Sequence, residues 1–318
     1  MFDVITLGSA TRDIFVKTDL KQKNNYLLME LGDKIEIEKP FMETGGGATN
    51  SAVSFSRLGL KAAAIIKLGN DGSGHLIKHT LEKEYVSRKF VLHDNNYGTA
   101  LSIIMYKKNI DRTLFVYRGA SSHILPKDVK LKKLKTNWLY ITALNGDSLK
   151  ILIPLLAHAK TNGIKVAMNP GAKELDMPYL LKYVDVLLLN KGEAEKLSGM
   201  RNNIIRCIKK LLHLGPKIIA VTDGPNLVNV FYNNFVYTAK PYDVKVMNTL
   251  GAGDSFCSAF TAGIMQNKTI EESIKLGLLN CSSVIQDFGA KTGLLYNINL
   301  NKYENKLGQK LKIKKSKL

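Results

Sequence analysis

Cysteine is scarce in this chain. The 318 residues include only Cys207, Cys257 and Cys281, and no two of them form a CxxC pair. This spacing argues against a zinc ribbon or a disulfide-stapled scaffold and fits a reducing compartment. We therefore expect a cytoplasmic protein held together by a packed core, for which a hydrophobic content of 45% is ample.

Long apolar segments are also missing. The longest runs, DVLLLN and ILIPLLAHA, are much shorter than the roughly 20 residues of a membrane-spanning helix. The first residues, MFDVITLGSA, have neither a basic region nor a long apolar region, so no signal peptide is expected. These observations predict no membrane partner.

Acidic residues are outnumbered, with 27 Asp and Glu against 46 Lys and Arg, which gives a net charge of +19. Such a balance raises the hypothesis of a nucleic-acid-binding protein. However, the lysines are spread along the whole chain, and neither an RNP-like motif nor a Cys/His finger occurs. We therefore expect no specific nucleic-acid binding, and the charge would instead attract anionic substrates.

The densest basic run is the C-terminal tail, KLGQKLKIKKSKL, at 306–318. We interpret it as a solvated helix end or a frayed terminus. Removal of residues 302–318 is therefore expected to leave activity unchanged.

Two common nucleotide-binding signatures are absent. No GxxxxGK[ST] occurs, and the segment GSATRD after the first predicted strand is not GxGxxG. The sequence is therefore neither a P-loop protein nor a Rossmann-type dinucleotide binder. His75 and His79 stand four residues apart, but no third ligand accompanies them, and we interpret them as residues of a surface helix.

Short apolar runs alternate with helical patterns along most of the chain. The predicted strands are 3–8, 62–68, 137–144, 164–170, 184–190 and 217–224, and the predicted helices are 74–86, 148–163 and 203–215. This alternation predicts an α/β fold with a mostly parallel sheet covered by helices on both faces. The segment YDVKVM, at 242–247, predicts one further strand.

Two regions interrupt this rhythm, at about 11–44 and 97–118. The second is typical of a hairpin, with GTALSIIMYK, a turn at 108–112 and TLFVYRG. We infer a small β-rich lid over the active end of the sheet, which could close on a substrate or pair with a second subunit. No Gly/Ser-rich linker occurs, so residues 1–318 are predicted to form a single domain with these two insertions.

The segment NTLGAGDSF, at 248–256, joins an extended pattern to a helix of small residues. Gly251 and Gly253 allow a sharp turn with N–H groups facing outward, and the positive end of the helix favours a bound anion. Asp254 lies in the first turn of this helix. Its carboxylate is either a functional group or a helix cap, because Asp is common at that position.

A second glycine-rich segment, TGGGATNSAVSFSRLG, occupies 44–59. Consecutive glycines allow a ligand to approach the backbone closely. Asn50, in the first turn of the following helix, can donate to and accept from the hydroxyls of a polyol. The plainer interpretation is a helix with a flexible start.

With both segments in place, the chain resembles the PfkB, or ribokinase-like, family of carbohydrate kinases over residues 3–295. GGGATNSAVSFSRLG and NTLGAGDSFCSAF match the family's two signatures, and LLLNKGEAEKLSG matches its NxxE element. IIAVTDG and FGAKTG match two later segments in the expected order. The resemblance implies a three-layer αβα fold with a lid, and transfer of phosphate from ATP, with Mg²⁺, to the hydroxymethyl group of a sugar or sugar-like alcohol.

The resemblance also implies roles for individual residues. Asp254 would be the catalytic base, and the end of its helix would lower its pKa. An anion hole for the transferring phosphate would be formed by the N–H groups of Gly251, Ala252 and Gly253. Mg²⁺ and its waters would be organised by Asn190 and Glu193.

The substrates would be held by two further groups. The residues implied for the sugar are Asp13, Gly45, Gly46 and Asn50. The residues implied for the nucleotide are Asn190, Thr222 and Gly224, with Asn280 near the adenine. A homodimer formed through the lid is implied by family analogy.

Several positions depart from the family pattern. Asn248 replaces an Asp that often helps to bind a monovalent cation, so activation by K⁺ is left open. Gly47, Ala48 and Thr49 replace the Lys-Gly-Ala of ribokinases, so ribose specificity is not expected.

Two alternative substrate classes stay open. In a nucleoside kinase of the same family, an aromatic residue near the lid would stack on the base, and the candidates are Tyr97, Tyr106, Phe115 and Tyr117. In a sugar-phosphate kinase, Arg112 and Arg118 could bind the phosphate.

Overall fold

The structure is a computed structural model that describes residues 1–24, 26–106, 112–297 and 299–318. Most of the turn predicted at 108–112 lies outside the described residues, with the exception of Arg112. Within the described ranges, no helix is both long enough and apolar enough to cross a membrane.

The described chain forms strands and helices in the following order. The strands are β1 (Phe2–Leu7), β2 (Thr11–Lys17), β3 (Gln22–Lys23), β4 (Tyr26–Leu27), β5 (Phe41–Gly45), β6 (Ala62–Gly69), β7 (Val91–Asp94), β8 (Ala100–Tyr106), β9 (Thr113–Tyr117), β10 (Thr136–Thr142), β11 (Lys165–Asn169), β12 (Val186–Asn190), β13 (Ile218–Thr222), β14 (Val228–Tyr232), β15 (Phe235–Ala239) and β16 (Ile313–Lys317). The helices are α1 (Gly47–Arg57), α2 (Gly72–Lys83), α3 (Leu152–Thr161), α4 (Lys191–Ser198), α5 (Ile204–Leu212), α6 (Ala252–Met265), α7 (Ile270–Val284) and α8 (Leu300–Leu307).

The main sheet runs through the centre of the molecule. Among the described residues it has ten strands, in the order β16-β15-β14-β13-β12-β11-β10-β1-β6-β7. The strands predicted from apolar runs correspond to β1, β6 and β10 to β13, and each pairs in parallel with its neighbours in this group. The predicted α/β fold with a mostly parallel sheet is confirmed.

Helices cover both faces of the main sheet. Because side chains alternate along a strand, Ile5 and Leu7 of β1 join a core with α3 and α5. Val4 joins a second core on the opposite face, with α6 and α7. Both faces of the main sheet are therefore buried, which explains why the parallel strands appear as continuous apolar runs in the sequence.

The small sheet is built from the two predicted insertions. Among the described residues its strands lie in the order β5-β2-β8-β9. The predicted hairpin is confirmed, because β8 pairs antiparallel with β9. Strand β2 bridges the two insertions, pairing antiparallel with β5 and parallel with β8.

Two predictions about local structure are wrong. The segment YDVKVM forms no strand, and residues 240–246 have no regular secondary structure. The C-terminal tail is not a frayed terminus, because β16 is the edge strand of the main sheet and pairs antiparallel with β15. On this edge the Lys315 ammonium lies 4.3 Å from the centre of the Phe235 ring, so a basic strand is stabilised by aromatic neighbours.

The tail also supports the segment that follows β15. Glu304 of α8 is buried, and its carboxylate accepts from Tyr242 Oη at 2.7 Å and from Lys275 Nζ at 2.6 Å. The Gln309 amide forms two hydrogen bonds with the backbone of Asp243, at 2.9 and 2.7 Å. Removing residues 302–318 would delete these partners, so we no longer expect such a truncation to be neutral.

Candidate active site

The N-terminus of α6 lies between two depressions in the surface. One, here called the inner cavity, has a volume of about 250 Å³ and lies under the small sheet, with Gly251 and Asp254 in its wall. The other, here called the outer cleft, has a volume of about 540 Å³ and is lined by Ala252 and Gly253. A single helix end therefore faces both spaces.

Gly251 makes this arrangement possible. It precedes α6 in the left-handed conformation, with φ +79°. A Cβ atom at this position would lie 2.6 Å from the Cβ of Ala290. The position therefore requires glycine for both conformation and space. Because the Gly251 N-cap has no side chain, no side-chain cap occupies the first N–H groups of α6, and they remain suited to an anion.

The Asp254 carboxylate forms a hydrogen bond with Asn50 of α1 rather than with its own helix. Its Oδ2 atom accepts a hydrogen bond from Asn50 Nδ2 at 2.8 Å, across a sequence separation of 204 residues. This contact favours a functional carboxylate over a helix cap.

The electrostatic environment of Asp254 differs from the prediction. Burial raises the pKa of Asp254, and the Asp13 carboxylate adds to the rise, whereas the Asn50 hydrogen bond and the Lys291 ammonium lower it. The predicted fall in the pKa of Asp254 is therefore wrong, because desolvation outweighs the favourable groups. A raised pKa makes this carboxylate a stronger proton acceptor.

Asn50 lies in the first turn of α1, as predicted, and lines the inner cavity. Its side chain is buried, and Oδ1 has no hydrogen-bond partner among the described residues. A buried carbonyl oxygen without a partner costs free energy that a bound hydroxyl would recover.

Asp13 is the second carboxylate of the inner cavity. Its Oδ1 atom accepts from Thr11 Oγ1 at 2.9 Å, and burial raises its pKa. A Cβ atom at Gly45 would collide with the carboxylate of Asp13, and one at Gly46 would lie 2.5 Å from the carbonyl oxygen of Ser9. The glycines therefore allow the chain to pass directly beneath Asp13. Gly46 lines the cavity, whereas Gly45 lies behind the carboxylate.

The outer cleft has a mainly apolar wall with polar groups at one end. Thr222 and Gly224 line it, as the resemblance implied, together with Val228, Phe256 and Leu278. Apolar walls with a few polar groups are typical of sites for flat heterocycles such as a nucleotide base.

Asn280 does not line the outer cleft. It is fully buried, where its Nδ2 donates to the Ser255 carbonyl at 2.9 Å and its Oδ1 accepts from the Leu295 N–H at 2.9 Å. The Asn280 side chain therefore makes no contact with this cleft, and its expected position near the adenine stays a prediction. Its polar side chain instead joins α7 to α6 and to the loop near residue 295.

Asn190 and Glu193 meet at the start of α4. The Glu193 N–H donates to Asn190 Oδ1 at 2.9 Å, and the Asn190 N–H donates to Glu193 Oε2 at 2.8 Å. Burial raises the pKa of Glu193. Among the described residues, no group of three or more His, Cys, Asp or Glu side chains could hold a metal ion. Mg²⁺ often takes one or two carboxylates and completes its shell with water and phosphate, so Glu193 and Asn190 fit such an ion.

The side chain of Asn248 lacks the negative charge of the Asp that it replaces. Its Oδ1 atom accepts from the Leu250 N–H at 3.0 Å, and its Nδ2 atom is a donor. The oxygen keeps a second lone pair, so this position offers K⁺ at most one neutral oxygen ligand.

Sequence reasoning anticipated Arg112 only as a ligand for a sugar phosphate, and it missed the role of Lys291. Lys291 is buried, and its Nζ atom donates to the Thr44 carbonyl. Arg112, at the start of β9, donates from Nη1 to Thr249 Oγ1 and thereby connects the small sheet to the loop before α6. The only signal of Lys291 in the sequence is a lysine placed between Ala290 and Thr292 in a glycine-flanked loop.

The site lies at one end of α6, on an α/β sheet with a small β-sheet beside it. The model of the pfkB family carbohydrate kinases matches residues 1–295, and the chain belongs to this family. It is therefore an ATP-dependent carbohydrate kinase.

Individual relatives agree with this membership. The chain is 24% identical to a ribokinase from Staphylococcus aureus over 298 residues, which cover 92% of this chain and 96% of that protein. It is 30% identical to an uncharacterized sugar kinase from Archaeoglobus fulgidus over 251 residues, covering 76% and 98% of the two chains.

Solved structures share the fold. A putative ribokinase II from E. coli in complex with ATP and Mg²⁺ matches with a TM-score of 0.83 and 19% identity, covering 96% of this chain and 100% of that one. A ribokinase from Arabidopsis thaliana complexed with ribose and ATP matches with a TM-score of 0.79 and 21% identity, covering 95% and 98%. The expected ribokinase-like fold is thereby confirmed.

Proposed function

We propose that this kinase phosphorylates the hydroxymethyl group of a neutral sugar or sugar-like alcohol, which binds in the inner cavity while ATP binds in the outer cleft. The observation that carries the proposal is the position of α6. Asp254 faces the inner cavity, and Ala252 and Gly253 face the outer cleft. A phosphoryl group held at this helix end would lie between donor and acceptor.

The chemistry then needs alignment, charge neutralisation and one proton acceptor. Asp254 takes the proton of the attacking hydroxyl as the new O–P bond forms and the bond to the leaving phosphate breaks. The N–H groups of Gly251, Ala252 and Gly253 bind the charge on the transferring group. Asn50 and Asp13 hold the other hydroxyls of the acceptor.

Glu193 and Asn190 would hold Mg²⁺ through water, beside the phosphates of the nucleotide. The ion would supply positive charge to the phosphate oxygens. Thr222 and Gly224 would line the nucleotide site. An E. coli structural neighbour contains ATP and Mg²⁺, which supports this assignment.

The small sheet is proposed to act as the lid of the inner cavity. Ile104, Leu114 and Val116 from its strands line the cavity opposite α6. The hydrogen bond from Arg112 to Thr249 supports closure of this sheet onto the loop that precedes the anion hole. Such closure would exclude water and limit wasteful hydrolysis of ATP.

The inner cavity favours a sugar over a nucleoside. Its volume of about 250 Å³ is below the roughly 300–1,000 Å³ typical of sites for drug-sized ligands. Of the aromatic candidates for base stacking, Tyr97 is already stacked on His123 at 3.8 Å, and Tyr106 packs against Phe288. Tyr117 lines the cavity beside Arg118, which is the only basic residue among its described lining residues. A lone arginine gives weak support to a sugar phosphate.

Release of ADP should identify the acceptor. We expect turnover with a neutral pentose or hexose, and little or none with adenosine or fructose 6-phosphate, when all are compared at equal concentration. A thermal-shift screen with a non-hydrolysable ATP analogue should rank the same ligands, because stabilisation follows affinity. Preferred turnover of adenosine would overturn the sugar assignment, and no turnover with any acceptor would overturn the proposed function.

We also predict that turnover does not require K⁺. Since Asn248 offers at most one neutral oxygen in place of a carboxylate, replacing potassium chloride with tetramethylammonium chloride at constant ionic strength should leave kcat unchanged. Sodium chloride serves as a second control. A loss of turnover that potassium alone restores would contradict this prediction.

A further inference from the structure

A buried ammonium group lies beside the proposed sugar site. Lys291 follows α7 in the chain and is 5% exposed. Lysine is almost never buried without a partner, and here the Nζ atom donates to the Thr44 carbonyl. The backbone of Lys291 is also fixed, because Arg57 Nη1 donates to its carbonyl oxygen at 2.9 Å. Arg57 is itself held by an ion pair with Glu84 at 2.6 Å.

The loop that carries Lys291 contacts both halves of the site. On one side, Ala290 packs against Gly251, the first residue of the proposed anion hole. On the other, Lys291 binds Thr44, the neighbour of Gly45, whose backbone passes beneath the Asp13 carboxylate. Residues 290 and 291 therefore connect the end of α6 to the floor of the inner cavity.

The charges around Lys291 are mostly acidic. Those that act on its ammonium are Asp13 from β2, Glu43 from β5, Asp254 from α6 and Glu84 after α2. The ammonium in turn lowers the pKa values of both Asp13 and Asp254, against the effect of burial, which raises them. The other titratable groups close to Asp254 are Tyr140 of β10 and Cys257 of α6, and both stay neutral because burial raises their pKa values well above the usual range.

We propose that Lys291 is a positioning residue for phosphoryl transfer, whose fixed ammonium keeps Asp254 and Asp13 ionised in the inner cavity. The inference rests on the function proposed for the same site. Two carboxylates that share a buried site tend to retain a proton, and a protonated Asp254 could not accept the proton of the attacking hydroxyl. The ammonium favours the ionised form of both carboxylates by its charge, without contact with the reacting atoms.

The pH dependence of kcat/KM tests the proposal. Burial lowers the pKa of Lys291 to about 8, so its charge is present below that pH and is lost as the pH rises through it. We expect the wild-type profile to fall as the pH drops through the pKa of Asp254. In Lys291→Met, which has a similar length and no charge, the acid limb should move upward by about one pH unit or more, since a neighbouring opposite charge is worth 1–3 units. Above about pH 8 the two profiles should converge, because Lys291 has itself lost its charge there in the wild type.

Two further variants sharpen the test. Lys291→Arg keeps the charge at all accessible pH values, so its acid limb should stay in place. Lys217→Met is a matched control, because this lysine has a side chain that is 79% exposed, and its profile should equal that of the wild type. If the Met variant does not fold, the acid limb of the uncharged Lys291→Gln variant decides, and a limb unmoved from the wild type would overturn the proposal.

A readout independent of turnover separates this inference from the proposed function. Carboxyl ¹³C chemical shifts, followed against pH, should show higher pKa values for Asp13 and Asp254 in Lys291→Met than in the wild type. Unchanged values would overturn the inference, as would a rate loss in the Met variant that is the same at every pH. Raised values in a protein that phosphorylates no acceptor would support the electrostatic role of Lys291 and reject the proposed function alone.

Discussion

Replacing Asp254 by Asn is expected to lower kcat by about 10²–10⁴-fold, the range for loss of a general base. The Asn side chain has nearly the same shape, and its carbonyl oxygen can still accept the hydrogen bond from Asn50 that Asp254 Oδ2 accepts at 2.8 Å. The change therefore removes the proton acceptor and leaves the cavity intact. Steady-state kinetics and calorimetric titration with ATP should show a low kcat and an almost unchanged nucleotide affinity.

The pH dependence and stability of this variant give independent checks. Because burial raises the pKa of Asp254, its ionised form is disfavoured in the folded state, and its contribution to stability is lost as the pH rises through the folded pKa. At neutral pH, Asp254→Asn should therefore be at least as stable as the wild type in thermal denaturation. Its residual rate should also lose the acid limb that the wild type shows.

Asp176→Asn is a suitable control for Asp254→Asn. The Asp176 carboxylate is 60% exposed and forms a surface ion pair with Lys196 at 2.9 Å, a kind of contact worth little to stability. Its kinetics should equal those of the wild type. Near-normal turnover in Asp254→Asn would refute its assignment as the base.

Gly251→Ala should have the second-largest effect, with kcat falling by about 10²–10³-fold, as for the loss of a donor in an anion hole. An alanine here must adopt φ near +79° and bring its Cβ to within 2.6 Å of the Cβ of Ala290. The turn would shift, and the first N–H groups of α6 would no longer face the transferring phosphate. The strain should also lower the free energy of unfolding by about 1–3 kcal/mol. Urea denaturation and kinetics well below the melting temperature measure the two effects separately.

Gly72→Ala provides the matched control. Gly72 likewise lies at the start of a helix, as the first residue of α2, but a Cβ added there meets no atom within 4 Å. It should therefore keep full activity and stability. If Gly251→Ala behaved like this control, the left-handed turn would not be needed for catalysis.

The parallel core of the fold could be predicted because its physical cause is local. Strands β1, β6 and β10 to β13 are buried on both faces, so each appears as a continuous apolar run. Strand β16 could not be predicted in this way, because its contribution is hydrogen bonding to a distant edge strand, β15. The lysines of this segment predicted a solvent-exposed terminus, although one of them packs over Phe235.

In the site, too, features with a local cause could be predicted and features that depend on distant segments could not. The glycine-rich segments predicted the turn at Gly251 and the position of Asn50 in the site. They could do so because a backbone conformation that requires glycine is visible in the sequence. The direction of the Asp254 pKa shift and the true contacts of Asn280 depend instead on how deeply each group is buried. Burial arises from packing between distant segments, and no local pattern reports it.

Because the N-terminus of α6 borders both the inner cavity and the outer cleft, binding in one of them should affect binding in the other. Gly251 and Asp254 border the inner cavity, and Ala252 and Gly253 border the outer cleft. A ligand that displaces this terminus from one side therefore reshapes the pocket on the other side. Thermodynamic linkage then requires that the acceptor change the dissociation constant of the nucleotide by the same factor as the nucleotide changes that of the acceptor.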